Sequence, residues 1–257
     1  MNLIDTHAHL DEIEDLPGAI REASDAGVVA IVAVGMSYES NEKVIELSHQ
    51  YKNLVYPALG LHPWQLGQID AAGVERILRQ IEDNIHEAVA VGEVGLDYDK
   101  RVRALASKER QQAVLRDLLE LARKHSKPAL IHSRYAWKDA LTVAAESGIE
   151  EAVFHWYTGP SSVLRDIIAR GYFVSATPAA EYHAEHRRAV REAPLTGLLL
   201  ETDSPVRYGM EVKYTSAPKD VRRSLKAAVE IRGMEEATLA EQTTKNAIRL
   251  FKMRVSD

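Results

Sequence analysis

A chain of 257 residues, 46% of them hydrophobic, is long enough for one large core and matches an eight-fold α/β barrel of about 250 residues. Its net charge of −6 excludes a protein that coats nucleic acid through a broadly basic surface, although a nuclease with positive charge only around a metal cleft stays compatible. Because the chain has no cysteine, disulfides and thiolate metal sites are excluded, and any metal must be bound by nitrogen and oxygen.

Targeting signals and linkers are not apparent. No apolar run approaches the roughly 18–20 residues of a membrane span, and the first histidine motif begins too early for a cleavable signal to precede it. We therefore expect a cytoplasmic protein without membrane contact, monomeric by default. No low-complexity or Pro/Gly-rich segment interrupts the chain, which predicts a single domain over residues 1–257.

Short apolar runs recur along the chain and are predicted to be strands. They are rich in Val, Ile, Leu and Ala and mostly lack polar alternation, as in parallel strands buried on both faces. In chain order they are Leu3–His9, Val28–Gly35, Val55–His62, Ala88–Leu96, Ala129–Ser133, Ala152–Trp156, Tyr172–Ala176 and Leu198–Asp203.

Amphipathic segments of helical length separate these runs. They are Pro17–Ala26, Ser40–Tyr51, Ala72–Ile85, Ser107–His125, Trp137–Ser147, Ser161–Arg170, Ala180–Glu192, Lys219–Ile231 and Glu236–Phe251. Strict alternation of strand and helix predicts an α/β fold, either a doubly wound sheet or a barrel. Eight strands favour a TIM-type (β/α)8 barrel. A distorted seven-stranded barrel is the alternative, since Tyr172–Ala176 is the weakest strand.

Six residues that can bind a metal lie at the ends of predicted strands, where the active sites of barrels are built. They are His7, His9, Glu93, His132, His155 and Asp203. His7 and His9 are two residues apart and therefore point to the same face of their strand. The alternative for this pair is a polar cluster that plugs the bottom of the barrel.

Two carboxylates connect these histidines. A carboxylate after so apolar a strand as that of Glu93 is costly unless it is paired or bound to metal, and its two oxygens can bridge two cations. The alternative for Glu93 is a salt bridge to an Arg or Lys in a neighbouring loop. Asp203 ends the last strand, beside the first in a closed barrel, so it can reach an ion held by His7 and His9. Glu201 lies deeper on the same face and would orient a ligand.

The motifs DTHAHLD, GLHPW, GEVGLDY, IHSR, FHWYTG and ETDSP, in this order, resemble those of the TatD-type metal-dependent deoxyribonucleases, which are TIM-type barrels of the amidohydrolase-like group. The resemblance covers roughly residues 3–251. It implies one metal bound by His7, His9, Glu93 and Asp203, and a second bound by Glu93, His132 and His155. It also implies that His62 lies at the phosphate. Ser133 and Trp156 replace cysteines that many members carry.

This resemblance implies hydrolysis of DNA phosphodiesters, as an exonuclease, with two divalent ions (Zn²⁺, Mn²⁺ or Mg²⁺). Asp203 would direct the proton of the attacking water, Glu93 would bridge the ions, and His62 would donate a hydrogen bond to the phosphoryl group. An alternative is a small-molecule amidohydrolase, lactonase or phosphoesterase that uses the same site. A metal-binding scaffold without catalysis is a third interpretation.

Substrate contacts are expected from three further residues. Arg134 matches the geometry of a phosphate, although an ion pair with an acidic loop would explain it equally well. Arg101, in the predicted loop Tyr98–Ala106, would bind a nucleic-acid backbone or simply be solvated. Trp64 would stack on a base or, as we prefer, cap the barrel core. The remaining histidines are expected to be solvated, namely His49, His86, His125, His183 and His186.

Overall fold

In a computed structural model of the protein, residues 1–255 are described, and eight parallel strands lie side by side in chain order. Their bounds are β1 Leu3–Ala8, β2 Val28–Val34, β3 Val55–Leu61, β4 Ala90–Asp97, β5 Ala129–Arg134, β6 Ala152–Phe154, β7 Phe173–Ala176 and β8 Leu198–Leu200. The predicted eight-stranded barrel is confirmed. The seven-stranded alternative is wrong, because β7 pairs in parallel with both β6 and β8.

The barrel closes irregularly between its last and first strands. β8 ends at Leu200, and the segment after it meets β1 through a single parallel bridge between Ala8 and Ser204. The backbone amide of Asp203 donates to the carbonyl of His7 at 2.8 Å, and that of His9 donates to Ser204 at 2.8 Å. This closure places Asp203 beside the histidines of the first strand.

Helices surround the barrel and cover its outer face. Their bounds are α1 Leu16–Asp25, α2 Tyr38–Gln50, α3 Ala71–Asn84, α4 Lys100–Leu105, α5 Lys108–Lys124, α6 Trp137–Ser147, α7 Ser161–Ala169, α8 Ala184–Glu192, α9 Val221–Arg232 and α10 Glu236–Phe251. Among residues 1–255, no helix has both the length and the apolar character required to cross a lipid bilayer.

The barrel interior holds a buried apolar cluster distinct from the layer between strands and helices. Alternate strand residues such as Val32, Leu130 and Val153 form it, together with Leu250 and Phe251 of α10. His132 and His155 follow Leu130 and Val153 by two positions and so point inward as well. The cluster fills the lower barrel with apolar side chains, so the alternative of a polar plug at the bottom is wrong.

Two predicted elements differ in the structure, and one further element was not predicted. Tyr98–Ala106 is not a loop, because residues 100–105 form α4, with Asp99 accepting a hydrogen bond from Arg101 at its start. The predicted helix Ala180–Glu192 is divided into a 3-10 turn, Pro178–Glu181, and α8, which begins after the cap His183. After β8 the chain forms a short antiparallel hairpin of β9 Arg207–Tyr208 and β10 Tyr214–Thr215.

Candidate metal centre

The predicted metal ligands converge at the carboxyl ends of the strands, around a cleft of about 710 Å³. Five of the six line this cleft, and His7 is fully buried beneath it. Five of them lie within the last three residues of a barrel strand or within three residues after it, whereas Glu93 lies midway along β4. The prediction that these six residues meet in space therefore agrees with the structure.

One oxygen of Glu93 faces the histidines of the first strand. Glu93 Oε2 lies 3.4 Å from His7 Nε2 and 3.5 Å from His9 Nε2. Asp203 Oδ1 faces the same two nitrogens, at 3.5 Å from His7 and 3.2 Å from His9. Two imidazoles and two carboxylates therefore surround one small volume.

The other oxygen of Glu93 faces a separate pair of histidines. Glu93 Oε1 lies 2.9 Å from His132 Nδ1 and 2.9 Å from His155 Nε2, and these two nitrogens are 3.4 Å apart. His62 Nε2 approaches the same oxygen at 3.4 Å. The carboxylate of Glu93 thus lies between two groups of nitrogen donors. No salt bridge from Arg or Lys to Glu93 occurs among residues 1–255.

The donor atoms fit divalent metal ions. Buried nitrogens of His7 have no hydrogen-bond partner among the described residues, which is costly unless another species satisfies them. Separations of 3.2–3.5 Å around His7 and His9 match the roughly 3.0–3.4 Å expected between neighbouring ligands of an ion with metal–ligand bonds near 2.1 Å. The groups His7–His9–Asp203 and His62–Glu93–His132 each bring their donor atoms within 4.8 Å of one another.

Close packing of β3 against β4 sets the position of Glu93. A Cβ atom on Gly60, in the GLHPW motif, would lie 2.5 Å from the backbone nitrogen of Glu93 and 2.4 Å from its carbonyl oxygen. Only glycine lets the two strands approach so closely. The glycine of this motif therefore serves the site without contributing a side chain.

Three of the six non-glycine residues with positive φ among residues 1–255 lie at the cleft. Asp203, Trp156 and Tyr135 have positive φ angles of 50°, 41° and 57°, which side chains other than glycine seldom adopt. All three line the cleft. Strain of this kind persists where surrounding structure holds it, and it is common at functional sites.

The histidines and carboxylates of the site shift one another's pKa values. Burial raises the pKa of Glu93, but the surrounding histidines, His62 foremost and then His155, outweigh it and hold the pKa well below its usual value. Burial lowers the pKa of His9, but the hydrogen bond and negative charge of Asp203 prevail and raise it to about 9. In the metal-free protein, Glu93 is therefore ionised at neutral pH while His9 carries a proton.

His62 is neutral and can donate from one nitrogen. Burial lowers its pKa to about 4. Its Nδ1 accepts a hydrogen bond from the backbone amide of Trp64 at 3.2 Å, so the proton resides on Nε2. That nitrogen faces Glu93 Oε1 at 3.4 Å, and its donation to a phosphoryl group stays a prediction.

Two further carboxylates contact His155 and His132 through the ring nitrogen that points away from Glu93. Glu201 Oε1 lies 3.4 Å from His155 Nδ1, as predicted for an orienting residue. Asp97 Oδ2 lies 3.3 Å from His132 Nε2, and sequence reasoning missed it. The sequence did contain a signal, because Asp97 follows Glu93 by four residues, and residues four apart on one strand point to the same face. It was overlooked because the predicted strand ended at Leu96, one residue before Asp97.

Asp97 is buried and ionised. Burial raises its pKa, but hydrogen bonds from His132, Trp64 and the backbone of Asp99 outweigh that effect and hold the pKa well below its usual range.

Of the predicted substrate contacts, the structure places two in the cleft. Trp64 lines it with 46% of its surface exposed, so the preferred interpretation as a cap of the barrel core is wrong. Arg134 also lines it and pairs through Nε with Asp97 at 3.1 Å, in line with the ion-pair interpretation, and its contact with a phosphate stays a prediction. Arg101 is exposed on α4 and is not among the cleft residues, because formation of this helix turns it to solvent.

His186 is not solvated as predicted. It is fully buried, accepts a hydrogen bond from the amide of Thr177 at 3.0 Å, and lies 3.0 Å from the carbonyl of Tyr157. Burial lowers its pKa to about 4. His186 lies on the side of α8 that faces the barrel. The predicted helix began too early, at Ala180, so the face on which His186 lies could not be assigned correctly.

Comparison with known proteins gives consistent matches over the whole barrel. The family model described as TatD related DNase matches residues 4–252. The human protein named deoxyribonuclease TATDN3 is 33% identical over 261 residues, covering 98% of this chain and 95% of the relative. An uncharacterised metal-dependent hydrolase of Bacillus subtilis, YabD, is 32% identical, covering 98% of this chain and 99% of the relative. The crystal structure of YjjV, a TatD homologue from Escherichia coli K12, has a TM-score of 0.88 at 27% identity and 98% coverage of both chains.

Proposed function

The chain belongs to the TatD related DNase family, and from this we propose that it hydrolyses phosphodiester bonds of DNA with two divalent metal ions, acting from strand ends as an exonuclease. The observation that carries the two-metal proposal is that the two carboxylate oxygens of Glu93 face two different sets of histidines. A carboxylate in this position can bridge two cations.

The residues that would hold the first ion are His7, His9, Glu93 and Asp203. Glu93, His132 and His155 would hold the second. With four imidazoles and two carboxylates, this set suits Zn²⁺ or Mn²⁺, and Mg²⁺ if bound more weakly. Bound ions would supply an activated water and neutralise the charge of the phosphodiester.

The protein's own residues have distinct roles in this proposal. Asp203, whose carboxylate faces His7 and His9, accepts the proton of the attacking water. The protonated Nε2 of His62 donates to a phosphoryl oxygen. Arg134, with 43% of its side chain exposed in the cleft, binds a phosphate of the substrate.

The composition of the cleft supports a nucleic-acid substrate over a small amide or lactone. All three tryptophans of the chain, Trp64, Trp137 and Trp156, line it, and aromatic faces stack on nucleobases. Arg134 is the one lysine or arginine among the cleft residues. Proteins that bind along a DNA duplex neutralise many phosphates with Lys and Arg side chains. A cleft with a single such side chain is better suited to contact a few phosphates, as at the end of a strand.

The test is a nuclease assay on metal-stripped protein with end-labelled single- and double-stranded DNA, to which Mg²⁺, Mn²⁺ or Zn²⁺ is returned. Asp203→Asn is the matched variant, since the amide has the shape of the carboxylate but cannot accept a proton. A ladder of shortened products from the parent and none from the variant is the expected result. Internal cuts without a ladder would reject the exonuclease, and no product with any ion would favour amide, lactone or small phosphoester substrates.

A further inference from the structure

We propose that Asp97 is a positioning residue that holds His132 in the tautomer and orientation required to bind the second metal ion. This inference rests on the proposed two-metal function. Asp97 ends β4, is fully buried, and lies on the side of His132 opposite Glu93.

Four donors converge on the carboxylate of Asp97. Its Oδ2 accepts from Trp64 Nε1 at 2.7 Å and lies 3.3 Å from His132 Nε2. Its Oδ1 accepts from Arg134 Nε at 3.1 Å and from the backbone amide of Asp99 at 2.8 Å. A carboxylate can accept at all four positions, whereas an amide of the same shape would direct its NH₂ group at two donors.

Two carboxylates flank the ring of His132, with Glu93 Oε1 2.9 Å from Nδ1 and Asp97 Oδ2 3.3 Å from Nε2. Nδ1 also lies 3.4 Å from His155 Nε2, on the side of the proposed second ion. If Nδ1 gives its lone pair to that ion, only Nε2 can keep a proton, and Asp97 is placed to accept it.

The other partners of Asp97 hold the carboxylate in place. Trp64 and Arg134 reach it from the cleft, and both are partly exposed there. The backbone amide of Asp99 closes the turn into α4. Asp97 is therefore fixed from three sides, which is what an orienting group behind a metal ligand requires.

The test compares Mn²⁺ binding by the metal-stripped parent and Asp97→Asn, measured by calorimetry. We expect two ions in the parent. In the variant, one ion should bind with parental affinity and the other about 10–100-fold more weakly, the usual effect of losing such an orienting group. Asp99→Asn is the matched control, since Asp99 contacts Arg134 at 3.8 Å through its side chain but not His132. It should keep both ions.

A second measurement needs no variant of Asp97. In ¹⁵N-histidine-labelled, Zn²⁺-loaded protein, with the His132 signals identified by their loss in His132→Gln, the proton should be on Nε2. A proton on Nδ1, or two ions bound by Asp97→Asn with parental affinities, would overturn the role of Asp97 while leaving the two-metal proposal intact. A parent that binds fewer than two ions would instead reject the two-metal proposal itself.

Discussion

His7 and His155 lie face to face at the base of the cleft, with ring centroids 4.1 Å apart and ring planes 7° apart. His7 comes from the first strand and His155 follows the sixth, and each faces a different oxygen of Glu93. The stacking of these two rings therefore brings the two groups of nitrogen donors together on either side of the Glu93 carboxylate.

Metal binding should release protons. In the metal-free protein the pKa of His9 is about 9, because the hydrogen bond and charge of Asp203 outweigh the opposing effect of burial. His9 is thus protonated at pH 7 and must lose its proton to bind an ion. Calorimetric titration with Zn²⁺ at pH 7, in buffers of different ionisation enthalpy, should show at least about one proton released per protein. An enthalpy independent of the buffer would contradict this.

Removal of Glu93 should affect both ions at once. Glu93→Ala deletes the carboxylate that faces both groups of histidines, so elemental analysis should find both ions lost or strongly depleted after dialysis. Glu185→Ala is the matched control, because Glu185 also lines the cleft but pairs with His183. Retention of one ion by Glu93→Ala with parental affinity would show that Glu93 is not a bridging ligand.

Arg134 and Arg101 should differ in their effect on substrate binding. Arg134 lines the cleft, so Arg134→Lys, which loses the planar guanidinium but keeps the charge, should raise KM for DNA about tenfold, as expected for loss of one charge-assisted hydrogen bond. Arg101→Ala should change KM little, because Arg101 is exposed on α4 outside the cleft. Steady-state kinetics on a short oligonucleotide would measure both, and equal changes would reject this assignment of Arg134.

His186 should make the protein less stable in mild acid. Burial lowers its pKa to about 4 from 6.5, so between these pH values the unfolded chain takes up a proton that the folded protein does not. The contribution of neutral, buried His186 to the free energy of unfolding is complete above pH 6.5. It is lost as the pH falls towards 4, and the free energy of unfolding drops by up to about 3 kcal/mol. Urea unfolding across this range should show a shallower pH dependence for His186→Gln than for the parent. Parallel curves would contradict the prediction.

Much of the fold could be read from local patterns. The seven clearest apolar runs all became strands, and even the weak run Tyr172–Ala176 formed β7, because pairing with β6 and β8 buries it on both sides. The segment Tyr98–Ala106 was misjudged as a loop because its charged residues show no apolar stripe. Helix α4 is instead held by its cap, Asp99, and by packing of Leu105 against the turn at Gly67.

Exposure was the least predictable property of single residues. Trp64 is large and apolar, which favoured a place in the core, yet its indole nitrogen reaches the buried Asp97 and leaves the ring open to the cleft. His186 is polar and lies on a helix, which favoured solvent, yet Thr177 and Tyr157 satisfy both of its nitrogens inside the protein. In both cases the partner lies far away in the sequence or on another element.

The sequence by itself determined that a barrel forms and that six metal-binding residues gather at one end of it. Parallel strands align their carboxyl ends, so a polar residue that ends each apolar run must join the others there. Only the tertiary structure decided which oxygen of Glu93 faces which histidines, and that Asp97 lies behind His132. Those relationships depend on ring orientation and on the distances between strands, which packing across the barrel sets and no local pattern encodes.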